Sequence, residues 1–227
     1  MITNIPLKRR ILEISKKYKL SHLGSCLTAV DIIDEIYSIK KPNEKFVLSS
    51  GHAGLALYVV LEKYDTPKEL LDGVKDYKGL LDAEKIFNHH GVHPDRCSDC
   101  HLDCSTGSLG QGINIALGMA LANRNQNVYT LISDGECSEG SVWEGLRIAQ
   151  EQNLKNLKIY LNFNQWGAYK FIQDEPLLDA IRLYDYANVQ IKHTNTFDFP
   201  FLGGQEAHYI TLTDDTYREA INILETK

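Results

Sequence analysis

Two apolar runs, residues 128–132 and residues 157–161, constrain the fold of this chain more than any other feature. The residues between them have a helical pattern, so the segment is predicted to be a strand, a helix and a second, parallel strand. Asp134 and Gly135 follow the first run, and Asn164 follows the second. Because open parallel sheets bind ligands at the carboxyl ends of their strands, we expect these three residues to form a binding site.

The residue types at this edge suit a cation and a diphosphate. Asp134 offers a carboxylate and Asn164 a carbonyl oxygen, which are hard ligands for Mg²⁺ or Ca²⁺. Gly135 lacks a Cβ and would let a diphosphate lie against the backbone. A helix predicted to begin near Ser138 would direct free N–H groups at the anion. An aspartate-glycine pair is also common in simple turns, so the pair alone does not identify the site.

A longer pattern surrounds these residues. Residues 133–144, residues 153–157 and Asn164 resemble the thiamine diphosphate domain of transketolases. Four more blocks resemble active-site loops of that family and occur in the same order: residues 21–25, 48–52, 92–95 and 105–112. The resemblance covers about residues 7–166 and returns weakly over residues 192–224. It implies an α/β fold with a mostly parallel sheet and helices on both faces, as a single diphosphate-binding domain over residues 1–227.

The resemblance also implies a cofactor, thiamine diphosphate, held with Mg²⁺ or Ca²⁺. Asp134, Asn164 and the backbone carbonyl of Trp166 would bind the metal. His52 would contact the diphosphate, and Gly135 would lie beside it. These five residues form the cofactor and metal site that the family pattern predicts for this chain.

Further residues are placed around the cofactor by the same resemblance. Gly107 and Leu109 would pack on the aminopyrimidine ring. His208 resembles a late family histidine that reaches the diphosphate. The stretch of sequence that matches around it is short, so a histidine on the surface fits this position equally well. His89 and His90 match no family position and are interpreted as surface residues.

Four residues are expected to act in catalysis by the resemblance. His22 and His93 would hydrogen-bond the sugar oxygens. Glu139 would lie at a subunit boundary and link to the partner's glutamate that protonates the aminopyrimidine. Glu144 would join that network.

The function implied is half of a split transketolase, an enzyme that moves a two-carbon ketol unit from a ketose to an aldose. At 227 residues the chain is too short for the three domains of a complete transketolase. A second subunit carrying the pyrimidine-binding and C-terminal domains is therefore expected, in an α2β2 heterotetramer that acts on a sugar or sugar phosphate. The segment 165–193 is shorter than in the family, so the sugar's identity does not carry over.

Composition excludes several other classes of function. The formal net charge is −6, and the lysines and arginines are dispersed, so no basic face for nucleic acid is expected. No apolar stretch approaches 18 residues and the first ten residues lack a signal-peptide core, so no membrane association is expected. A cytoplasmic, reducing compartment is the expectation.

Three of the five cysteines fall within residues 97–104. Cys97, Cys100 and His101 match the c-type haem attachment pattern, and together with Cys104 they also suit zinc or an iron–sulfur centre. Reduced surface thiols fit these residues at least as well. We expect no catalytic role for Cys97 and Cys100, and Cys104 is interpreted as a packing residue.

Two other classes of function remain open at this point. Split 2-oxoacid oxidoreductases share the aspartate-glycine and asparagine signature and use cysteines to hold an iron–sulfur cluster. The blocks that contain His22, His52 and His93, together with residues 105–112, favour the transketolases instead. A non-catalytic scaffold that retains the cofactor site is the other alternative.

Helical patterns flank the predicted sheet. An apolar stripe from Leu7 to Tyr18 predicts an amphipathic helix that ends in a loop at residues 21–25. Thr28 and Asp31 have the spacing of a capping box and predict that the next helix starts there. Residues 108–123 are predicted to be helical, and residues 66–88 are predicted to be surface helix and loop without a functional role.

Overall fold

A four-stranded parallel sheet lies at the centre of the computed structural model, which describes residues 2–65, 81–167, 170–184 and 189–226. The strands are β1 (Lys45–Leu48), β2 (Val128–Ser133), β3 (Leu157–Phe163) and β4 (Val189–His193). Their order in the sheet is β1-β2-β3-β4, so neighbouring strands follow one another along the chain. Val128 lies opposite Leu157 in the β2–β3 pair, which confirms the predicted strand-helix-strand unit.

Eight α-helices are present in the described ranges. Short 3₁₀ turns supplement them, and one of these, Gly135–Ser138, follows β2 directly. The helices are α1 (Ile5–Tyr18), α2 (Leu23–Ile39), α3 (Gly54–Asp65), α4 (Ala83–His90), α5 (Gln111–Ala122), α6 (Gly140–Glu151), α7 (Asp174–Arg182) and α8 (Asp214–Glu225).

Alternate strand residues pack on opposite faces of the sheet. Phe46 and Leu48 join the core formed with α1, α2, α3, α4 and α8, whereas Val47 joins the core formed with α5, α6 and α7. This alternation follows from the two-residue period of a strand and gives the sheet a helical layer on each side. The predicted α/β fold with helices on both faces is confirmed.

The predicted start of the second helix is wrong. α2 begins at Leu23, so Thr28 lies inside it and its hydroxyl donates to the carbonyl of Gly24 at 3.0 Å. Asp31 does not complete a capping box, because its carboxylate accepts bonds from Asn4 and Lys8 of the first helical segment. The N-cap residue is His22, which makes no side-chain capping bond and has a left-handed backbone conformation with φ 62°.

Two other differences concern the edges of the fold. Strand β4 was not predicted: its residues do alternate between apolar and polar as in a half-buried strand, but the run of five is short and none of its residues is fully buried. Part of the segment 66–88 lies outside the described residues, and its end forms the predicted helix, α4. Among the described helices, none combines the length and the apolar character needed to cross a bilayer.

Candidate active site

A cavity of about 190 Å³ opens at the carboxyl edge of the sheet. The ends of β2 and β3 meet there with the loops that follow α1, β1 and α4. Nine of the predicted site residues line the cavity: His22, His52, His93, Gly107, Leu109, Gly135, Asn164, Trp166 and His208.

Asp134 and Asn164 are joined directly, although 30 positions separate them. The Oδ2 atom of Asp134 accepts the backbone N–H of Asn164 at 2.9 Å and that of Gln165 at 2.6 Å. Its Oδ1 atom accepts the N–H of Gly135 at 2.9 Å. The carboxylate therefore holds the turn after β3 against the turn after β2, as expected of strand ends at one edge of a parallel sheet.

The donor set around Asp134 fits a divalent cation. The residue is 1% exposed, and burial raises the pKa of its carboxyl group to about 6 despite the three N–H bonds. Among the described residues, its Oδ1 atom accepts the Gly135 N–H and the side-chain oxygen of Asn164 accepts the Trp166 N–H at 2.9 Å, and each of these oxygens has a second lone pair. Hard oxygen atoms with spare lone pairs beside a buried carboxylate are the ligands that Mg²⁺ and Ca²⁺ prefer.

The Asn164 side chain is held by a polar group from α2. The Thr28 hydroxyl accepts the Asn162 amide at 3.0 Å and the Asn164 amide at 3.4 Å. Asn162 in turn accepts the Thr194 hydroxyl at 2.5 Å. Because these bonds use the amide nitrogen of Asn164, its oxygen is left for other partners. Sequence reasoning missed Thr28 and Asn162 as site residues, since both depend on α2 and β3 being packed together.

Three imidazoles form a cluster in the cavity. The ring of His22 lies 4.5 Å from that of His208 and 5.4 Å from that of His52, measured between centroids. Burial lowers the pKa of His22 to about 4 and that of His52 to about 3, and it also lowers the pKa of His208. All three are therefore neutral near pH 7 and able to donate or accept hydrogen bonds. The structure places His208 in the cavity rather than on the outer surface.

His93 and Gly107 lie on facing loops. A Cβ on Gly107 would lie 3.2 Å from the His93 ring, and a Cβ on Gly51 would lie 2.7 Å from the Gly107 nitrogen. Thr106 fixes the second loop by donating its hydroxyl to the Leu48 carbonyl at 2.7 Å. Glycine at these positions lets the loops approach closely and narrows the cavity.

Glu136 organises the loops behind the cavity and is the main residue that sequence reasoning missed. Its side chain is fully buried and accepts bonds from the Ser49 hydroxyl at 2.6 Å, the Gly110 N–H at 2.8 Å and the Ser133 N–H at 3.1 Å. Burial raises the pKa of Glu136, against the effect of these bonds. Its place in the motif was visible in the sequence, but its burial was not.

Glu139 and Glu144 do not line the cavity. Both side chains are exposed on the described surface. Glu139 lies at the N-terminus of α6, next to Gly110, where a Cβ would approach the Glu139 Cβ to 2.9 Å. Their catalytic roles remain predictions that depend on a partner surface.

Comparisons with known proteins agree with this site. The family model described as "Transketolase, thiamine diphosphate binding domain" matches residues 10–168. The 6-deoxy-6-sulfo-D-fructose transketolase subunit SqwG of Clostridium sp. (strain MSTE9) is 31% identical over 84% of this chain and 73% of the relative. An apulose-4-phosphate transketolase subunit from Phocaeicola vulgatus is 29% identical over 77% of this chain and 64% of the relative.

Longer relatives match over a smaller share of their length. Human transketolase is 35% identical over 64% of this chain and 24% of its own length. A mutant transketolase from Pichia stipitis has the same fold, with a TM-score of 0.71 and 21% identity over 98% of this chain and 40% of its own chain. The family model covers more than half of the chain, and the match favours the transketolases over the 2-oxoacid oxidoreductases. The chain therefore belongs to the transketolase family and contains its thiamine diphosphate binding domain.

Proposed function

We propose that this chain is the diphosphate-binding subunit of a two-chain, Mg²⁺- and thiamine diphosphate-dependent transketolase. The observation that carries the proposal is the convergence of Asp134, Asn164 and the histidine cluster of His22, His52 and His208 on the edge of the sheet. When bound, thiamine diphosphate supplies a nucleophilic carbon that breaks and forms the carbon–carbon bond beside a ketose carbonyl.

The residues of this chain would hold and orient the reacting groups. Asp134, Asn164 and the Trp166 carbonyl would hold the metal, Mg²⁺ or alternatively Ca²⁺, which would neutralise the negative charge of the diphosphate. His52 would donate to a phosphate oxygen from its neutral ring, and Gly135 would allow the diphosphate to approach the backbone.

The histidines would act on the sugar. His22 and His93 would hydrogen-bond hydroxyl and carbonyl oxygens and keep the substrate in the geometry needed for bond cleavage. None of the described residues that line the cavity is Lys or Arg, so a terminal phosphate or sulfonate on the sugar would be recognised by the partner chain. Two relatives are named as transketolase subunits for 6-deoxy-6-sulfo-D-fructose and apulose 4-phosphate, which supports a ketose as the donor class.

A partner chain is required by this account. It would carry the pyrimidine-binding and C-terminal domains in an α2β2 assembly and would bring its glutamate to the network of Glu139 and Glu144. Phe171 is 50% exposed and Tyr209 is 65% exposed beside the cavity. Exposed aromatic side chains are typical of protein–protein interfaces, which supports a partner chain that covers this surface. Two of the relatives are named as transketolase subunits, which supports the same organisation.

The test measures ketol transfer from a ketose to an aldose with the purified chain, with the co-purified partner chain, and with both. We expect turnover only when both are present with thiamine diphosphate and Mg²⁺. Turnover by this chain alone would contradict the two-chain proposal. Absence of turnover from a stable complex of both chains, with a range of ketose donors, would contradict the assignment as a transketolase.

A further inference from the structure

A hairpin outside the cavity has the backbone geometry of a metal-binding turn. Cys97 and Leu102 exchange two backbone hydrogen bonds, of 3.0 and 2.9 Å, that close the turn. Inside it, the N–H of Cys100 donates to the Cys97 sulfur at 3.2 Å, and His101 adopts a left-handed conformation with φ 54°. A backbone N–H directed at the first cysteine stabilises negative charge on its sulfur, which a metal-bound thiolate carries.

Two histidines at the end of α4 face this hairpin. The rings of His89 and His90 lie 4.5 Å apart in an edge-to-face arrangement. One ligand atom from each of His89, His90 and Cys97 lies within 4.8 Å of the others, and the His90 Nε2 atom lies 3.4 Å from the Cys100 sulfur. Three donors, from His89, His90 and Cys97, thus lie together, and the Cys100 sulfur joins them through its contact with His90.

The spacing matches a tetrahedral zinc site. With Zn–S bonds of about 2.3 Å and Zn–N bonds of about 2.0–2.1 Å, neighbouring ligand atoms lie roughly 3.3–3.8 Å apart. The 3.4 Å contact between His90 and Cys100 already falls in this range, whereas the ligand atoms of His89, His90 and Cys97, which lie within 4.8 Å of one another, would come closer by side-chain rotation when the metal binds. We propose that Cys97, Cys100, His89 and His90 bind one structural Zn²⁺ ion.

The ligand types favour zinc over the other candidates for this motif. An iron–sulfur cluster is normally held by four thiolates, and Cys104 packs against the core that contains α5, α6 and α7 instead of joining the hairpin. Two imidazoles and two thiolates form a closed tetrahedral set that leaves no open position for a substrate. Both thiols would release their protons to solvent when the metal binds.

The metal would connect the end of α4 to the loops of the cavity. His93 lies between the histidine ligands and the cysteine ligands in the chain. The segment after it is already tied to the Gly107 loop, because Thr106 N–H donates to the Pro94 carbonyl at 3.0 Å and Arg96 N–H donates to the Ser105 hydroxyl at 2.9 Å. Zinc would therefore limit the movement of His93 without touching the substrate.

Metal content tests the proposal independently of cofactor binding or turnover. The chain is purified without chelators, its zinc is measured by mass spectrometry, and the demetallated protein is titrated with Co²⁺ while visible absorption is followed. We expect about one zinc per chain and the spectrum of tetrahedral, thiolate-bound cobalt. The Cys97→Ser, Cys100→Ser and His90→Ala variants should each lower zinc content at least about tenfold under competition with a chelator, whereas Cys104→Ser should retain it.

Several results would overturn the zinc site. These are a chain that contains no zinc and shows no saturable Co²⁺ binding, zinc content unchanged in Cys97→Ser and Cys100→Ser, or a Cys97–Cys100 disulfide in the chain purified under reducing conditions. Far-UV circular dichroism checks that each variant is folded. If a cysteine variant does not fold, His89→Ala tests the same site, because that side chain is exposed and its removal leaves no cavity in the core.

Discussion

Replacing Gly112 with alanine tests how tightly α5 packs against the end of β1. A Cβ on Gly112 would lie 2.4 Å from the Ser49 Cα and 2.7 Å from its side-chain atoms. Ser49 cannot move freely, since its N–H donates to the Leu131 carbonyl at 2.9 Å and its hydroxyl donates to Glu136 at 2.6 Å. Overpacking that displaces backbone costs about 3 kcal/mol, and the better helix propensity of alanine recovers about 1 kcal/mol. The net loss of stability is therefore expected to be about 2 kcal/mol.

Gly118 of the same helix provides the matched control. A Cβ there meets nothing within 4 Å, so Gly118→Ala should stabilise the protein by about 0.5–1 kcal/mol. Urea unfolding followed by circular dichroism measures both variants, with unchanged m values as evidence that only stability differs. A Gly112→Ala variant as stable as Gly118→Ala would refute the packing argument.

Three further predictions concern buried polar groups. Glu136→Gln should lower the free energy of unfolding by about 2–3 kcal/mol in urea, because the new amide N–H₂ group would face an N–H donor. The exposed control Glu219→Gln should change this free energy little. Equal effects of the two substitutions would contradict the buried-carboxylate account. Thr28→Val should cost about 1–2 kcal/mol by leaving the Asn162 amide without an acceptor, and a neutral result in the same assay would show that the bond is dispensable. The folded pKa of His52, about 3, lies below its unfolded value near 6.5, so its contribution to stability is complete above pH 6.5 and is lost as the pH falls toward 3. Without cofactor or metal, His52→Asn should therefore lose less stability than the unchanged chain between pH 7 and pH 5, and parallel curves would contradict the buried neutral imidazole.

The sheet and its ligand edge were predictable because they depend on local patterns. The runs at residues 128–132 and 157–161 are continuous and apolar, and the observed strands, Val128–Ser133 and Leu157–Phe163, extend them by only one or two residues. Strands that are buried on both faces have this composition. The turns that follow the two strands place Asp134 and Asn164 at one edge of the sheet. The site residues drawn from the family resemblance mostly line one cavity, because the loops that carry them meet at this edge of the sheet.

Features that depend on tertiary packing were not predictable. The start of α2 is set by the left-handed residue His22 and not by a polar cap, and no sequence rule assigns that conformation to a histidine. Strand β4 lies beside β3 at the described edge of the sheet, and its alternating pattern covers only five half-exposed residues, too few to stand out in the sequence. The burial of Glu136 arises only when three separate loops meet.

The function of the cysteine motif also depended on tertiary structure. Sequence spacing alone left zinc, haem attachment, iron–sulfur and free thiols as alternatives for Cys97 and Cys100. The approach of His89 and His90 to the hairpin reduces these alternatives, because it supplies two nitrogen donors that the sequence had assigned to the surface.

Binding of thiamine diphosphate to the chain is the most direct test of the central claim. Thermal unfolding is followed with thiamine diphosphate, with and without Mg²⁺, and with thiamine monophosphate as a ligand that lacks the second phosphate. A ligand that binds only the folded chain stabilises it by about 2.7 kcal/mol at one hundred times its dissociation constant. The account predicts a Mg²⁺-dependent rise in melting temperature for the diphosphate alone, lost in Asp134→Ala and kept in Glu219→Ala. An equal rise without Mg²⁺ or in Asp134→Ala, or no rise at saturating cofactor, would contradict the account.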